Sequence, residues 1–254
     1  MAPAFARSSE FAVDKPAGLP CPHLEGDDRC GIHAQLRVRG FAGCDAYDCF
    51  GAGQRVSRGI RGGRRPGAGA AQHWRAAPAA ARDLFAAFGV VRQLHELLWY
   101  LEEAVGLVPP GELGDALRRA RDAVQAASDG VADGTTAVAE VDVTGQRERT
   151  RSLLVQASAL LRGAGADLAG ADLGGADLAG AHLRGMNLAG SCLRGAALMG
   201  ADLRGAQLHR TDLLGVDLRG ARLEGADLRT ALFVTQTQVG SASGDARTGL
   251  PGRL

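Results

Sequence analysis

Residues 166–230 read ADLAG ADLGG ADLAG AHLRG MNLAG SCLRG AALMG ADLRG AQLHR TDLLG VDLRG ARLEG ADLRT, thirteen pentads in unbroken phase with leucine at every centre from Leu168 to Leu228. A fixed internal period outranks any local reading. Five residues fit neither regular element. Along an α-helix they turn about 500°, so successive leucines drift by about 140° round the axis; along a strand an odd period sends them to alternate faces. Only a chain that coils once per whole number of pentads keeps every leucine inside. Eleven of the thirteen pentads end in glycine, and at roughly 1 kcal/mol apiece relative to alanine so many would melt a helix. They suit turns that need positive φ. The inward positions are then the leucine and the residue two before it. Nine of the latter are alanine and the others are Met186, Ser191, Thr211 and Val216, so the interior is narrow.

This A-(D/N)-L-x-x pattern resembles the pentapeptide-repeat family. The resemblance implies a right-handed quadrilateral β-helix over 164–233, with four pentads per coil. Thirteen pentads then make about three and a quarter coils, a solenoid roughly 15 Å tall at the ~4.8 Å spacing of stacked strands. Each buried leucine contributes about 1.5–3 kcal/mol. Both ends need covers, because open ends expose backbone groups and invite edge pairing. Upstream the phase fails at Gly163, and 146–162 carries Leu153, Leu154, Ala157, Leu160 and Leu161 at helical spacing. Downstream a partial pentad, Ala231-Leu232-Phe233, puts a larger ring at the centre, and a short helix with a polar tail is expected after it.

The remainder of the chain predicts a mixed, multi-domain protein. Over 81–107, Leu84, Phe85, Phe88, Val91, Leu94, Leu98, Leu101 and Val105 recur at steps of three and four before Pro109 and Pro110, which predicts a helix. A second is predicted over 112–128 on Leu113, Leu117, Ala120 and Val124, and a third over 146–162. The expected order is a disordered segment at 1–18, a cysteine-rich module at 19–58, a glycine and arginine linker at 59–70 and a helical bundle at 71–163 whose last helix caps the solenoid. The β-helix at 164–233 and a cap and tail at 234–254 complete it.

Four of the five cysteines, Cys21, Cys30, Cys44 and Cys49, lie within 29 residues. Residues 1–24 lack a basic stretch followed by an apolar one, and no run of 18 apolar residues occurs, so neither a signal peptide nor a membrane span is expected and the expected location is cytoplasmic. There, thiolate coordination of zinc or of an iron–sulfur cluster is a better reading than disulfides. The four thiolates would form one site, with His33 and then His23 as substitutes. The spacing lacks the paired CxxC knuckles of zinc ribbons. The segment CGIHAQLRVRGFAGCDAYDC is similar to zinc- or iron-chelating segments of bacterial proteins, without their adjacent cysteine pair.

The chain has 254 residues, 46% apolar and 22% charged, with a net charge of +1, which removes the bulk electrostatic case for direct nucleic-acid binding. His95-Glu96-Leu97-Leu98-Trp99 opens like a zinc-protease helix but puts tryptophan where the second ligand belongs. Phe50-Gly51-Ala52-Gly53-Gln54 lacks the ending that reaches a phosphate and reads as a turn. No nucleophile and base can be paired from the sequence, and a leucine-filled coil has no cleft for a substrate, so no enzyme is expected. The expected role is a scaffold for a protein partner. The family resemblance implies an alternative, a DNA mimic that binds DNA gyrase and gives antibiotic resistance, which demands an acidic surface. Over the repeat, seven arginines stand against seven aspartates and Glu224, a balance of −1. A third reading is a metal- or redox-responsive regulator built on the N-terminal cysteines.

Overall fold

The computed structural model describes residues 3–26, 29–61, 78–162 and 168–254. The chain divides into two compact units, Met1–Val105 with Gly114–Ser152, and Gly106–Leu113 with Leu153–Leu254. The phase break at Gly163, the first pentad through Asp167 and the linker from residue 62 onward lie outside the described residues.

The first unit is helical. Two short helices, α1 (Ala42–Ala46) and α2 (Ala52–Arg61), precede the long α3 (Pro78–Leu107) and α4 (Glu112–Asp133). Proline at the first position suits α3, since its missing N–H has no intrahelical partner there. Pro109 and Pro110 stop the helix at Leu107, because proline cannot donate to the turn before it. Helix α4 runs past the predicted end at 128 to a left-handed glycine, Gly134 (φ 73°), whose N–H donates to Val131 O (3.2 Å). The extra turn is held because Val131 and Ala132 join Ala52, Val56, Ala87 and Val91 in one apolar cluster. Helix α5 (Val143–Arg162) starts three residues before 146, since the Asp142 carboxylate accepts from Gly145 N (2.7 Å) and caps it.

Two boundaries differ from expectation. Residues 3–18 form a closed loop where disorder was expected: Phe5 and Lys15 exchange backbone hydrogen bonds (3.0 and 2.8 Å), and the Phe5 ring stacks on Phe11 at 4.2 Å. The Lys15 ammonium, nearly buried, donates to Pro3 O (2.6 Å) and Pro16 O (3.1 Å). Helix α2 is also part of the helical core, so residues 19–58 and the bundle share one unit.

The second unit holds the repeat. Each corner is a turn in which the N–H opening one pentad donates to the leucine carbonyl before it, as Ala171 N does to Leu168 O (3.1 Å), and the third residue of the turn is left-handed, glycine at φ 66–74° from Gly170 to Gly225 except at one corner, where Arg210 takes φ 54°. Successive layers are bridged at a register of twenty residues: His182 to Asp202 to Arg222, and Asn187 to Gln207 to Asp227. The expected right-handed quadrilateral β-helix solenoid is corrected here. Among the described residues there is no strand and no sheet; the layers are joined by isolated one-residue parallel bridges, and the regular secondary structure is helical. A turn every five residues leaves too little extended backbone in each pentad to make a strand.

From Leu188 to Leu228 every central leucine is buried, as are Ser191, Thr211 and Val216, whereas Leu168, Leu173 and Leu178 are only partly so. Met186 is turned outward at 36% exposure, its side chain being too long for a slot that alanine fills elsewhere. At the far end Phe233 is fully buried. Helix α6 (Gln236–Gly240) follows, capped by Thr235, whose hydroxyl accepts from Gln238 N (3.3 Å). The expected polar tail instead extends the stack: Ser243 bridges to Arg222 and Gly249 to Asp227.

Candidate functional site

The twenty-residue register sorts the outward side chains of the repeat into columns. On most corners the residue before the leucine caps its own turn: Asp172, Asp177, Asn187, Asp202, Asp212, Asp217 and Asp227 each accept, through Oδ1, from the backbone N–H two residues on. In the later pentads that second residue is arginine, and it turns back on the same carboxylate. Arg204 donates to Asp202 (2.7 and 2.5 Å), Arg219 to Asp217 (2.6 Å), Arg229 to Asp227 and, beyond the repeat, Arg247 to Asp245 (2.8 Å). These guanidinium bonds hold all four carboxyls below the usual carboxylate range, that of Asp227 at about 2. At these four positions the outer surface therefore carries pairs of opposite charge, whereas Asp172 and Asp177 are exposed and cap their turns without such a clamp.

One column is closed. Asp212 is fully buried, and its Oδ2 accepts from Ser158 Oγ of α5 (2.5 Å) and from Arg194 Nη2 (2.7 Å). Arg194 also donates to Leu154 O (3.1 Å), and its guanidinium lies 6.0 Å from the centre of the Phe233 ring. Helix α5 thus covers the column of Cys192 and Asp212 through a polar network, with Leu154 and Ala157 buried beside it. On another column, His209 approaches Asp227 Oδ2 through Nε2 (3.4 Å) and Thr230 Oγ1 through Nδ1 (3.3 Å). This places a hydroxyl, an imidazole and a carboxylate together, but the carboxylate is committed to Arg229 and does not orient the ring for base catalysis.

The cysteines gather in part. The N–H of Leu24 donates to Cys21 O (2.9 Å), and Leu24 bridges antiparallel to Cys30, so Cys21 and Cys30 stand on the two arms of one hairpin. His23 meets the buried Phe41 edge-on at 5.0 Å, and Cys44 N donates to Phe41 O (3.0 Å). Partial desolvation pushes the pKa of the largely exposed Cys44 thiol up, and the neighbouring Cys21 and Cys30 add to the shift. Cys49 belongs to the following turn, where its thiol lies 3.9 Å from Gln54 Oε1. His33 is exposed in a short 3₁₀ turn, His33–Gln35. Among the described residues, no three His, Cys, Asp or Glu side chains are arranged to hold a metal ion.

The remaining motifs are structural. The Phe50 carbonyl can only accept, so His95 Nδ1 carries the proton and donates to it (2.7 Å), while Nε2 pairs with the buried Ser128 hydroxyl (2.9 Å). Phe50 (φ 48°) and Gly51 (φ 75°) form the turn into α2. The arginine clamps carried a legible signal, the recurrent Asp-Leu-Arg; the Ser158–Asp212–Arg194 network, joining residues far apart in sequence, carried none.

Residues 166–205 and 196–233 match the family model for pentapeptide repeats, in eight copies. Over 103 residues the chain is 45% identical to "Uncharacterized protein YybG" of Bacillus subtilis (strain 168), a match covering 41% of this chain and 34% of that protein. The chain thus spans about a third of the length of the curated relative it matches. Within this chain the pentapeptide repeats are confined to the matched residues 166–233. No helix among the described residues is long and apolar enough to cross a membrane.

Proposed function

We propose that the chain is a non-catalytic interaction protein whose pentad stack offers a rigid, charge-paired surface to a protein partner. The observation that supports this reading is the recurrent clamp of an aspartate by the arginine two residues on, at Asp202, Asp217, Asp227 and Asp245. Each clamp fixes a guanidinium and a carboxylate in one plane without net charge, which suits directional hydrogen bonding to a polar rim. The same clamps weigh against DNA mimicry, which needs columns of uncompensated carboxylates.

The test sets the full chain against a variant with Arg204, Arg219 and Arg229 changed to Gln. The native protein is expected to leave gyrase supercoiling unaffected at stoichiometric amounts and to capture a partner from the source cells that the variant fails to hold. Gyrase inhibition by the native chain, lost on changing Asp217 and Asp227 to Asn, would replace this reading with the DNA mimic.

A further inference from the structure

The thiols of the first unit are the reactive groups that the proposed binding surface leaves unused. Cys21 and Cys30 occupy the two arms of the hairpin closed at Leu24. Phe41, against which His23 packs at 5.0 Å, brings the start of α1 to that hairpin, and Cys44 follows within the same turn, hydrogen-bonded to Phe41 O. Cys44 is exposed and the other two are half-buried; all three are free thiols. The Phe5 and Lys15 loop packs on the same spot, with the Phe5 ring 6.4 Å from that of Phe41, so the three thiols sit on a braced surface. A metal would need at least a third ligand in coordinating geometry, and the described residues do not provide it.

We propose that this cluster is a disulfide site for a hydroperoxide, joining Cys44 to one cysteine of the Cys21/Cys30 hairpin and leaving Cys49 and Cys192 outside it. In the first step the thiolate sulfur of one partner attacks a peroxide oxygen. A sulfur–oxygen bond forms, the O–O bond breaks with its electron pair going to the departing oxygen, and that oxygen leaves as water or alcohol with the proton the thiol gave up. In the second step the other thiol attacks the sulfenic sulfur. The sulfur–sulfur bond forms, the S–O bond breaks, and hydroxide leaves with the second thiol proton as water. Two thiols lose two electrons and one peroxide gains them.

The full chain, purified reduced and without oxygen, is treated with hydrogen peroxide, alkylated and mapped by peptide mass. The expected result is a cross-linked peptide joining Cys44 to Cys21 or Cys30, reversed by dithiothreitol, with Cys49 and Cys192 still alkylated. Cys44→Ser should abolish the cross-link, and Cys49→Ser, as a folding control at a neighbouring thiol, should retain it. A cross-link through Cys49, a Cys21–Cys30 disulfide in its place, or five thiols unchanged after peroxide would overturn the proposal. So would stoichiometric zinc or iron in the purified chain that shields these thiols from alkylation.

Discussion

Asp212 shows how one side chain serves two purposes in this fold. Its Oδ1 caps the turn at Leu214 N (3.0 Å) as its counterparts do at other corners, while Oδ2 holds Ser158 and Arg194 with no exposure to solvent. Removing one partner of a buried ion pair strands the other charge, at about 3–5 kcal/mol, whereas replacing both by apolar groups costs far less. Asp212→Ala is therefore expected to lower the stability of the second unit by about 3 kcal/mol, since Arg194 keeps partial access to water at 17% exposure. Arg194→Met combined with Asp212→Leu should cost less than Asp212→Ala alone. Urea denaturation of Arg194→Met, Asp212→Leu and the double variant closes the cycle; additive losses would show that the pair does not act as a unit.

At the scale of elements, α2 joins the bundle through few apolar side chains, Ala52 and Val56, and one arginine. Arg55 donates to Asp129 (2.8 and 3.0 Å) and Asp133 (2.9 and 3.0 Å), one helical turn apart on α4. The Asp133 bond, and after it Asp129, push the Arg55 pKa well above its ordinary value. Because these groups keep contact with water, the tie is worth only about 1 kcal/mol. Arg55→Met should leave the global melting transition within a few degrees yet speed amide exchange over Ala52–Arg61 several-fold, as α2 detaches on its own. Unchanged exchange there would mean that the apolar contacts alone hold the helix.

For the whole molecule, the pentad stack depends on a narrow interior filled by one leucine and one small residue per corner. Leu198 is fully buried in the middle of it. Leu198→Ala is expected to cost about 2–5 kcal/mol, the loss of the side chain plus the cavity it leaves. Leu198→Lys should abolish cooperative melting of the second unit, since the ammonium has no route to water. The first unit has its own cluster and should keep its helical circular dichroism in both variants. Retention of the parental melting temperature by Leu198→Lys would refute the inward assignment of the leucines.

The period, the inward leucines and the positive-φ glycines follow from the sequence, because each is a local demand repeated until chance is excluded. The long helices follow for the same reason, with Pro109 and Pro110 marking the stop of α3, whereas the start of α5 at the Asp142 cap and the end of α4 at Asp133 lie outside the predicted ranges. That pentads stack through single bridges and not strands was decided by the tertiary structure, where turn geometry at every corner consumes the backbone a strand would need. The outward turn of Met186, the burial of Asp212 under α5, the pairing of the C-terminal segment with Arg222 and Asp227 and the grouping of three cysteines without the fourth share one cause. Each depends on which distant segments meet, and a spacing along the chain carries no information about that.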